Sequence, residues 1–78
     1  MRIEDIAGLI RNVPDFPKPG ILFKDITPLL GDADGFNSTL ELMASMISKH
    51  SPDAIVGIES RGFIFGAALV AHMKLPLQ

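Results

Sequence analysis

The residues best suited to chemistry form a short polar turn, Glu59, Ser60, Arg61 and Gly62. The turn follows an apolar, β-branched run over residues 54–58, which predicts a buried strand, and it precedes an apolar segment of helical character. A turn from strand to helix leaves backbone N–H groups without partners at the helix N-terminus, where the helix dipole is positive. With Arg61 beside them, and with glycines allowing close approach, these groups predict an oxyanion site, above all for phosphate or pyrophosphate. The same residues are also compatible with an ordinary turn whose charged side chains are solvated.

Three helices must position this turn, and apolar residues at helical spacing predict each of them. The first covers residues 2–12, with isoleucines at positions 3, 6 and 10 on one face. The second begins near Phe36, with Asp32 or Asp34 as its cap, and ends near residue 50. The third runs from residue 62 to about residue 74 and is apolar nearly all round, which predicts burial on several sides.

A proline-rich segment, residues 13–30, separates the first two helices. Each proline biases the residue before it toward extended backbone, and the many apolar side chains give the segment much to bury. We therefore predict an ordered arm, closed by a turn over residues 31–35. The chain then divides into an N-terminal helix and arm, residues 1–35, and the start of an α/β core, residues 36–78.

The chain is more hydrophobic than its short length leads one to expect. A chain of 78 residues buries only roughly 60–65% of its unfolded surface, yet 47% of these residues are hydrophobic. We therefore expect the chain to associate with something or to form part of a larger domain. A strand that is apolar throughout belongs in a parallel sheet covered on both faces, and residues 75–78 have the pattern of an approach to a further strand.

Several classes of function are disfavoured by the composition. The chain has no cysteine for a disulfide or a thiolate metal site, and its net charge of −2 gives no reason to expect nucleic acid. Its longest apolar run, residues 63–71, is about half of the ~20 residues that span a bilayer. Neither His50 nor His72 has a carboxylate at metal-ligand spacing, so no metal site is predicted. We expect a soluble cytoplasmic protein that does not bind membranes.

Two segments together resemble a known family. Residues 15–30, with the sequence DFPKPGILFKDITPLL, resemble the N-terminal hood segment of adenine phosphoribosyltransferases, and residues 57–66, GIESRGFIFG, resemble their pyrophosphate-binding loop and the helix after it. The resemblance runs from residue 1 to residue 77. It implies the N-terminal portion of a type I phosphoribosyltransferase domain, an α/β fold with a Rossmann-like parallel sheet, present here incompletely.

The resemblance implies a role in purine salvage. The family transfers the phosphoribosyl group of PRPP to N9 of adenine, giving AMP and pyrophosphate with the help of Mg²⁺, and it is typically homodimeric. Its pyrophosphate-binding positions fall on Glu59, Ser60, Arg61 and Gly62, with a non-proline cis peptide implied between Glu59 and Ser60.

The family's adenine-binding positions fall on Leu22, Phe23 and Lys24. Phe23 would stack on the purine, and the backbone of Leu22 and Lys24 would bind its polar edge. From the residues alone, Phe23 is more simply explained as a core side chain in an apolar arm. Lys24 and Asp25 are by default a solvated pair.

The sequence also departs from the family's pattern. It contains neither paired acidic residues after an apolar run nor the Thr/Gly-rich loop that binds the 5′-phosphate, so no catalytic residue is assigned. We expect the activity to belong to a full-length protein and to be absent from this chain alone. Two alternatives remain open at this point, namely a non-catalytic dimerisation module and a regulator that binds a nucleotide without turnover.

Overall fold

The computed structural model describes all 78 residues, which form two compact units, Met1–Thr39 and Leu40–Gln78. Six elements follow one another along the chain: α1 Ile3–Ala7, β1 Arg11–Pro14, β2 Leu22–Asp25, α2 Thr27–Leu30, α3 Ala33–Ser48 and α4 Glu59–Met73. The mixture of helix and strand confirms the α/β fold class. None of the helices combines the length and the apolar character needed to cross a membrane.

The first unit is built on an antiparallel ribbon of β1 and β2, with Val13 opposite Phe23. The prediction of one helix over residues 2–12 is wrong in its second half, because α1 ends at Ala7 and residues 11–14 form β1. Helical spacing is a local signal, whereas β1 exists through pairing with residues 22–25, which lie beyond the intervening loop of the hairpin. Ile6 of α1 is buried in this unit.

The arm is not extended throughout, because α2 begins at Thr27, directly before Pro28. Proline lacks an N–H and is tolerated in the first turn of a helix, where that donor has no intrahelical partner. The carboxylate of Asp25 accepts a hydrogen bond from the Thr27 N–H at 3.0 Å, which supports this helix start. Leu29 then becomes one of the most deeply buried side chains of the chain.

The long helix α3 begins three residues before Phe36. Asp32 is its cap, since the Asp32 Oδ1 accepts a hydrogen bond from the Gly35 N–H at 2.8 Å. The helix ends at Ser48, so Lys49 and His50 lie just beyond its last turn. On this helix Leu40 and Ala44 are buried.

In the second unit, residues 55–57 run parallel to the chain end and bond to it. The N–H of Ile55 donates to the Pro76 carbonyl at 2.9 Å, and the Ile55 carbonyl accepts from the Gln78 N–H at 2.8 Å. The prediction of a fully buried strand is wrong, because Val56 is 67% exposed and Ile58 is 75% exposed. A parallel strand is buried on both faces only within a wider sheet, and this segment pairs along one edge.

Candidate functional site

The polar turn is the first turn of α4, which begins at Glu59 rather than at Gly62. Ile58 is the cap residue, and no side chain forms a capping hydrogen bond to this helix end. An isoleucine side chain has no acceptor atom, so Ile58 does not cap this helix end as Ser, Thr, Asp or Asn would. The side chains of Glu59, Ser60 and Arg61 are exposed, and Gly62 is half-buried. An anion can therefore approach this helix end from solvent.

The backbone at Glu59 is strained. Its φ angle of +64° lies in the left-handed region, which a residue with a Cβ atom enters at a cost of about 1–2 kcal/mol. This conformation takes the chain from the extended backbone of Ile58 directly into α4. Strain of this kind is concentrated at functional sites, where a particular backbone direction is needed.

The implied cis peptide between Glu59 and Ser60 is absent from the structure. The chain has one cis peptide bond, between Phe16 and Pro17. The sharp change of direction at residue 59 is instead made with a trans peptide and the positive φ of Glu59.

The glycines near the turn serve the packing of strand against helix. A Cβ atom at Gly57 would lie 3.0 Å from the Gly62 carbonyl oxygen and 3.1 Å from Phe63 Cδ1. A Cβ atom at Gly62 would in turn lie 3.3 Å from the Gly57 carbonyl carbon. The backbones of the strand segment and of α4 thus touch at these two residues, and this contact fixes the place of the first helical turn.

The outer edge of β2 presents backbone polar groups at alternate residues. The Ile21 carbonyl accepts a hydrogen bond from the Phe16 N–H at 3.1 Å, so the backbone of Ile21 faces the β1 side of the hairpin. Backbone groups alternate in direction along a strand, and therefore the N–H and C=O groups of Leu22 and Lys24 point away from β1. These two residues can bind a flat polar edge without using their side chains.

Phe23 occupies the position between those two residues and is not a core side chain. It is half-buried, and its ring contacts Phe16 in an edge-to-face arrangement with a centroid separation of 5.2 Å. The Lys24 side chain turns to the opposite face of the ribbon, where its Nζ donates to Asn12 Oδ1 at 2.7 Å. The aromatic ring and the lysine ammonium group are thus separated by the ribbon.

No family model matches the chain, whereas the comparisons with curated proteins and with solved structures find relatives. The adenine phosphoribosyltransferase of Synechococcus sp. strain JA-3-3Ab is 60% identical over 72 residues, which cover 91% of this chain and 41% of the relative. The chain belongs to the adenine phosphoribosyltransferase family. It spans about two-fifths of the length of the curated relatives that it matches.

Solved structures of the family give the same result. The adenine phosphoribosyltransferase of Thermoanaerobacter pseudethanolicus superposes with a TM-score of 0.93 at 45% identity, over 97% of this chain and 45% of that one. The enzyme of Giardia lamblia, solved with 9-deazaadenine, superposes with a TM-score of 0.90 at 31% identity, over 99% of this chain and 42% of that one.

Asp25 is an organising residue of the β1–β2 ribbon that the sequence alone did not reveal. It is the one buried charged residue, at 8% exposure, and it does not form a solvated pair with Lys24. Its Oδ2 accepts hydrogen bonds from Arg11 Nε at 2.9 Å and Nη2 at 2.7 Å, and its Oδ1 accepts from the N–H and hydroxyl of Thr27. These bonds, first those from Thr27 and then those from Arg11, lower the pKa of Asp25 to about 2. An aspartate two residues before a threonine is a local capping signal, whereas the Arg11 partner depends on strand register.

Two open cavities lie away from the predicted site residues of α4. One of about 350 Å³ lies on the Lys24 face of the ribbon, between Ala7, Ile10, Asn12 and Ile26. The other, of about 440 Å³, is lined by Glu41, Ala44, Ser45, Ser48, His72 and Met73. No three His, Asp or Glu side chains come together in an arrangement that could hold a metal ion.

Proposed function

We propose that this chain supplies the adenine-binding and pyrophosphate-binding residues of an enzyme that transfers the phosphoribosyl group of PRPP to N9 of adenine. The products would be AMP and pyrophosphate. The observation that carries the proposal is the exposed first turn of α4, which has no side-chain cap, begins at the strained Glu59 and bears Ser60 and Arg61. Membership of the adenine phosphoribosyltransferase family supports the choice of reaction.

Charge develops on the pyrophosphate as its bond to the ribose carbon breaks. Backbone N–H groups at a helix N-terminus and a guanidinium stabilise such charge when they are already in place, because no reorganisation is then needed during the reaction. In this proposal the amides of the first turn of α4 and the side chain of Arg61 bind the departing pyrophosphate. The Ser60 hydroxyl adds a further donor.

The outer edge of β2 would hold the base. Adenine carries a donor and an acceptor side by side, the 6-amino group and N1, and these match a backbone C=O and N–H directed away from β1. Leu22 and Lys24 offer such groups, and Phe23 between them offers an aromatic surface to the ring. The adenine analogue in the Giardia lamblia structure supports a base of this kind.

The reaction would also need a metal ion, and the chain would act as part of a larger assembly. Mg²⁺ would accompany PRPP, as the family resemblance implies, and no three His, Asp or Glu side chains of this chain come together to hold it. A homodimer would cover exposed apolar side chains of α4, Phe63 and Ile64 among them. The protein would act in the cytoplasm.

Two ligand titrations of the chain test the proposal, with each variant serving as the control for the other ligand. In amide NMR spectra of the chain, added adenine should shift the resonances of residues 22–24, and added pyrophosphate should shift those of residues 60–62. Phe23→Ala should weaken adenine binding about tenfold, since stacking contributes about 1–3 kcal/mol, and should leave pyrophosphate binding unchanged. Arg61→Gln should do the reverse.

The proposal is overturned if adenine and pyrophosphate act on the same residues. If both ligands shift the same resonances, neither site exists as described, and if hypoxanthine binds as well as adenine, the adenine site does not. We expect the chain alone to bind the two ligands without forming AMP from adenine and PRPP, because it lacks the acidic pair and the Thr/Gly-rich loop of the family.

A further inference from the structure

Asp25 is the last residue of β2, and its carboxylate bonds to two other elements of the same unit. The Asp25 Oδ2 accepts hydrogen bonds from Arg11 of β1 at 2.9 and 2.7 Å. The Asp25 Oδ1 accepts from the N–H of Thr27 in α2 at 3.0 Å and from the Thr27 hydroxyl at 2.8 Å. We propose that Asp25 is a positioning residue for base binding, whose bonds fix the peptide unit that presents the Lys24 carbonyl. This inference rests on the proposed function, in which the backbone of Leu22 and Lys24 binds adenine.

The Lys24 carbonyl and the Asp25 N–H belong to one peptide unit. That unit is planar and trans, so its C=O and N–H point in opposite directions and cannot turn independently. Asp25 pairs with Arg11 across the ribbon, and its backbone faces β1 as that of Ile21 does. The Lys24 carbonyl therefore points to the outer edge of β2. Whatever holds the Cα atom of Asp25 also holds the direction of this carbonyl.

The Asp25 side chain is held on two sides at once. It is bound to β1 through Arg11 and to the first residue of α2 through Thr27, and Asp25 is only 8% exposed. Hydrogen bonds to an ionised carboxylate are about twice as strong as those between neutral groups. Without these bonds the end of β2 could adopt several backbone positions. The cost of selecting one of them would be added to each binding event, and the affinity for adenine would fall.

Calorimetric titration of the whole chain with adenine and with pyrophosphate at neutral pH tests the inference. Asp25→Asn keeps the shape of the side chain but removes its charge, and it should weaken adenine binding by about 3- to 10-fold. Pyrophosphate binding, which the proposed function assigns to α4, should stay within about twofold of the original. Asp34→Asn is the matched control, since Asp34 is an exposed carboxylate of the same unit, and it should bind adenine normally.

A second pair of variants serves if Asp25→Asn does not fold. Thr27→Val removes one donor hydroxyl and keeps the backbone N–H, so adenine should bind about 2- to 5-fold more weakly. Thr27→Ser restores the hydroxyl and should bring the affinity back to within about twofold of the original. In ¹⁵N relaxation measurements on the chain without ligand, the order parameter of the residue 25 N–H should fall in Thr27→Val and recover in Thr27→Ser.

The comparison of the two ligands separates positioning from general stability. A variant that only unfolds more easily loses apparent affinity for both ligands alike, in proportion to its unfolded fraction. If the affinities for adenine and pyrophosphate fall together, the inference is overturned. The same holds if Thr27→Ser does not restore the adenine binding and the order parameter that Thr27→Val loses.

The reference variant Phe23→Ala distinguishes this inference from the proposed function. If Phe23→Ala loses adenine affinity while Asp25→Asn retains it, or Thr27→Val where Asp25→Asn is unfolded, the inference fails and the proposed function stands. If the unaltered chain does not bind adenine, or binds it equally well with Phe23→Ala, the proposed function fails and the inference fails with it.

Discussion

At the scale of single residues, Asp25 is the charge that organises the ribbon of β1 and β2. Its carboxylate joins Arg11 of β1 to Thr27 of α2, and it directly follows Lys24. The Asp25 side chain is 11% exposed, whereas that of Arg11 is 67% exposed. A buried carboxylate that receives several donors is stable as an anion, and removing its charge leaves those donors without an acceptor of equal strength.

The free energy of unfolding should depend on pH through the carboxylate of Asp25. The pKa of Asp25 is lowered from 3.8 to about 2 in the folded chain, so the stabilisation is fully present above pH 4 and is lost as the pH falls toward 2. Asp25→Asn should lower the urea midpoint at pH 7, and the difference from the unaltered chain should shrink between about pH 4 and pH 2. The exposed Asp53 provides the control variant Asp53→Asn, with no expected change in midpoint. A difference that stays constant down to pH 2 would contradict the assignment.

At the scale of elements, the contact between Gly57 and Gly62 sets the position of the polar turn at the start of α4. Strand and helix backbones lie closer there than any side chain would allow. Gly66, one helical turn further on, is buried and faces Leu77 and Ile55. The first turn of α4 is thus held against the strand segment by close backbone packing at these glycines.

A matched pair of glycine substitutions tests this contact. Gly57→Ala forces a Cβ atom to within about 3 Å of the Gly62 carbonyl, and overpacking of this kind costs about 1–3 kcal/mol. In Gly8→Ala the nearest atom is 3.5 Å away and φ is −66°, so stability should be unchanged or rise slightly. Urea unfolding measures both, and pyrophosphate binding should weaken only in Gly57→Ala. Equal midpoints for the two variants would show that α4 is not held in this way.

The C-terminal end of α4 offers a stabilising change. Lys74 ends the helix with φ 58° and ψ 48°, a left-handed conformation that glycine adopts without steric cost. Lys74→Gly should raise the free energy of unfolding by about 0.5–1 kcal/mol. Lys49→Gly removes the same charge just beyond α3, where φ is not positive, and should bring no gain. Thermal unfolding followed by circular dichroism would measure the difference in stability. A gain in stability in both variants would show that the left-handed conformation of Lys74 is not the cause.

At the scale of the whole molecule, much apolar surface remains exposed. Val56 and Ile58 project from the strand segment, and Phe63 and Ile64 project from α4, although sequence patterning predicts burial for all of them. Apolar patches of this kind mark association surfaces, and a strand with an unpaired edge adds backbone donors and acceptors to them. The hydrogen bonds of residues 55–57 to the chain end, residues 76–78, occupy one edge only.

We therefore predict that the purified chain self-associates. Analytical ultracentrifugation should show species larger than the 8.4 kDa monomer at micromolar concentration. The double variant Val56→Thr with Ile58→Thr keeps β-branched side chains at the exposed positions and should reduce the association. Ile3→Thr changes an exposed apolar residue of the other unit and should not. A monodisperse monomer with a cooperative thermal transition would contradict this prediction.

The sequence by itself determined what depends on neighbours within a few residues. The spacing of apolar side chains located α3 and α4, Asp32 was among the expected caps, and the polar turn was placed between strand and helix. Residue types alone also carried the family resemblance. These features follow from 3.6-residue periodicity, turn chemistry and side-chain chemistry, all of which are local.

The tertiary structure decided everything that depends on distant partners. β1 exists because residues 11–14 pair with residues 22–25, and the same register brings Arg11 to Asp25. α4 begins at Glu59 rather than at the predicted residue 62. The Gly57–Gly62 contact packs this first turn against the strand segment. Phe16 reaches Phe23 only because the hairpin closes between them. The spacing of residues in the sequence does not predict these contacts, because they are set by packing and by strand register.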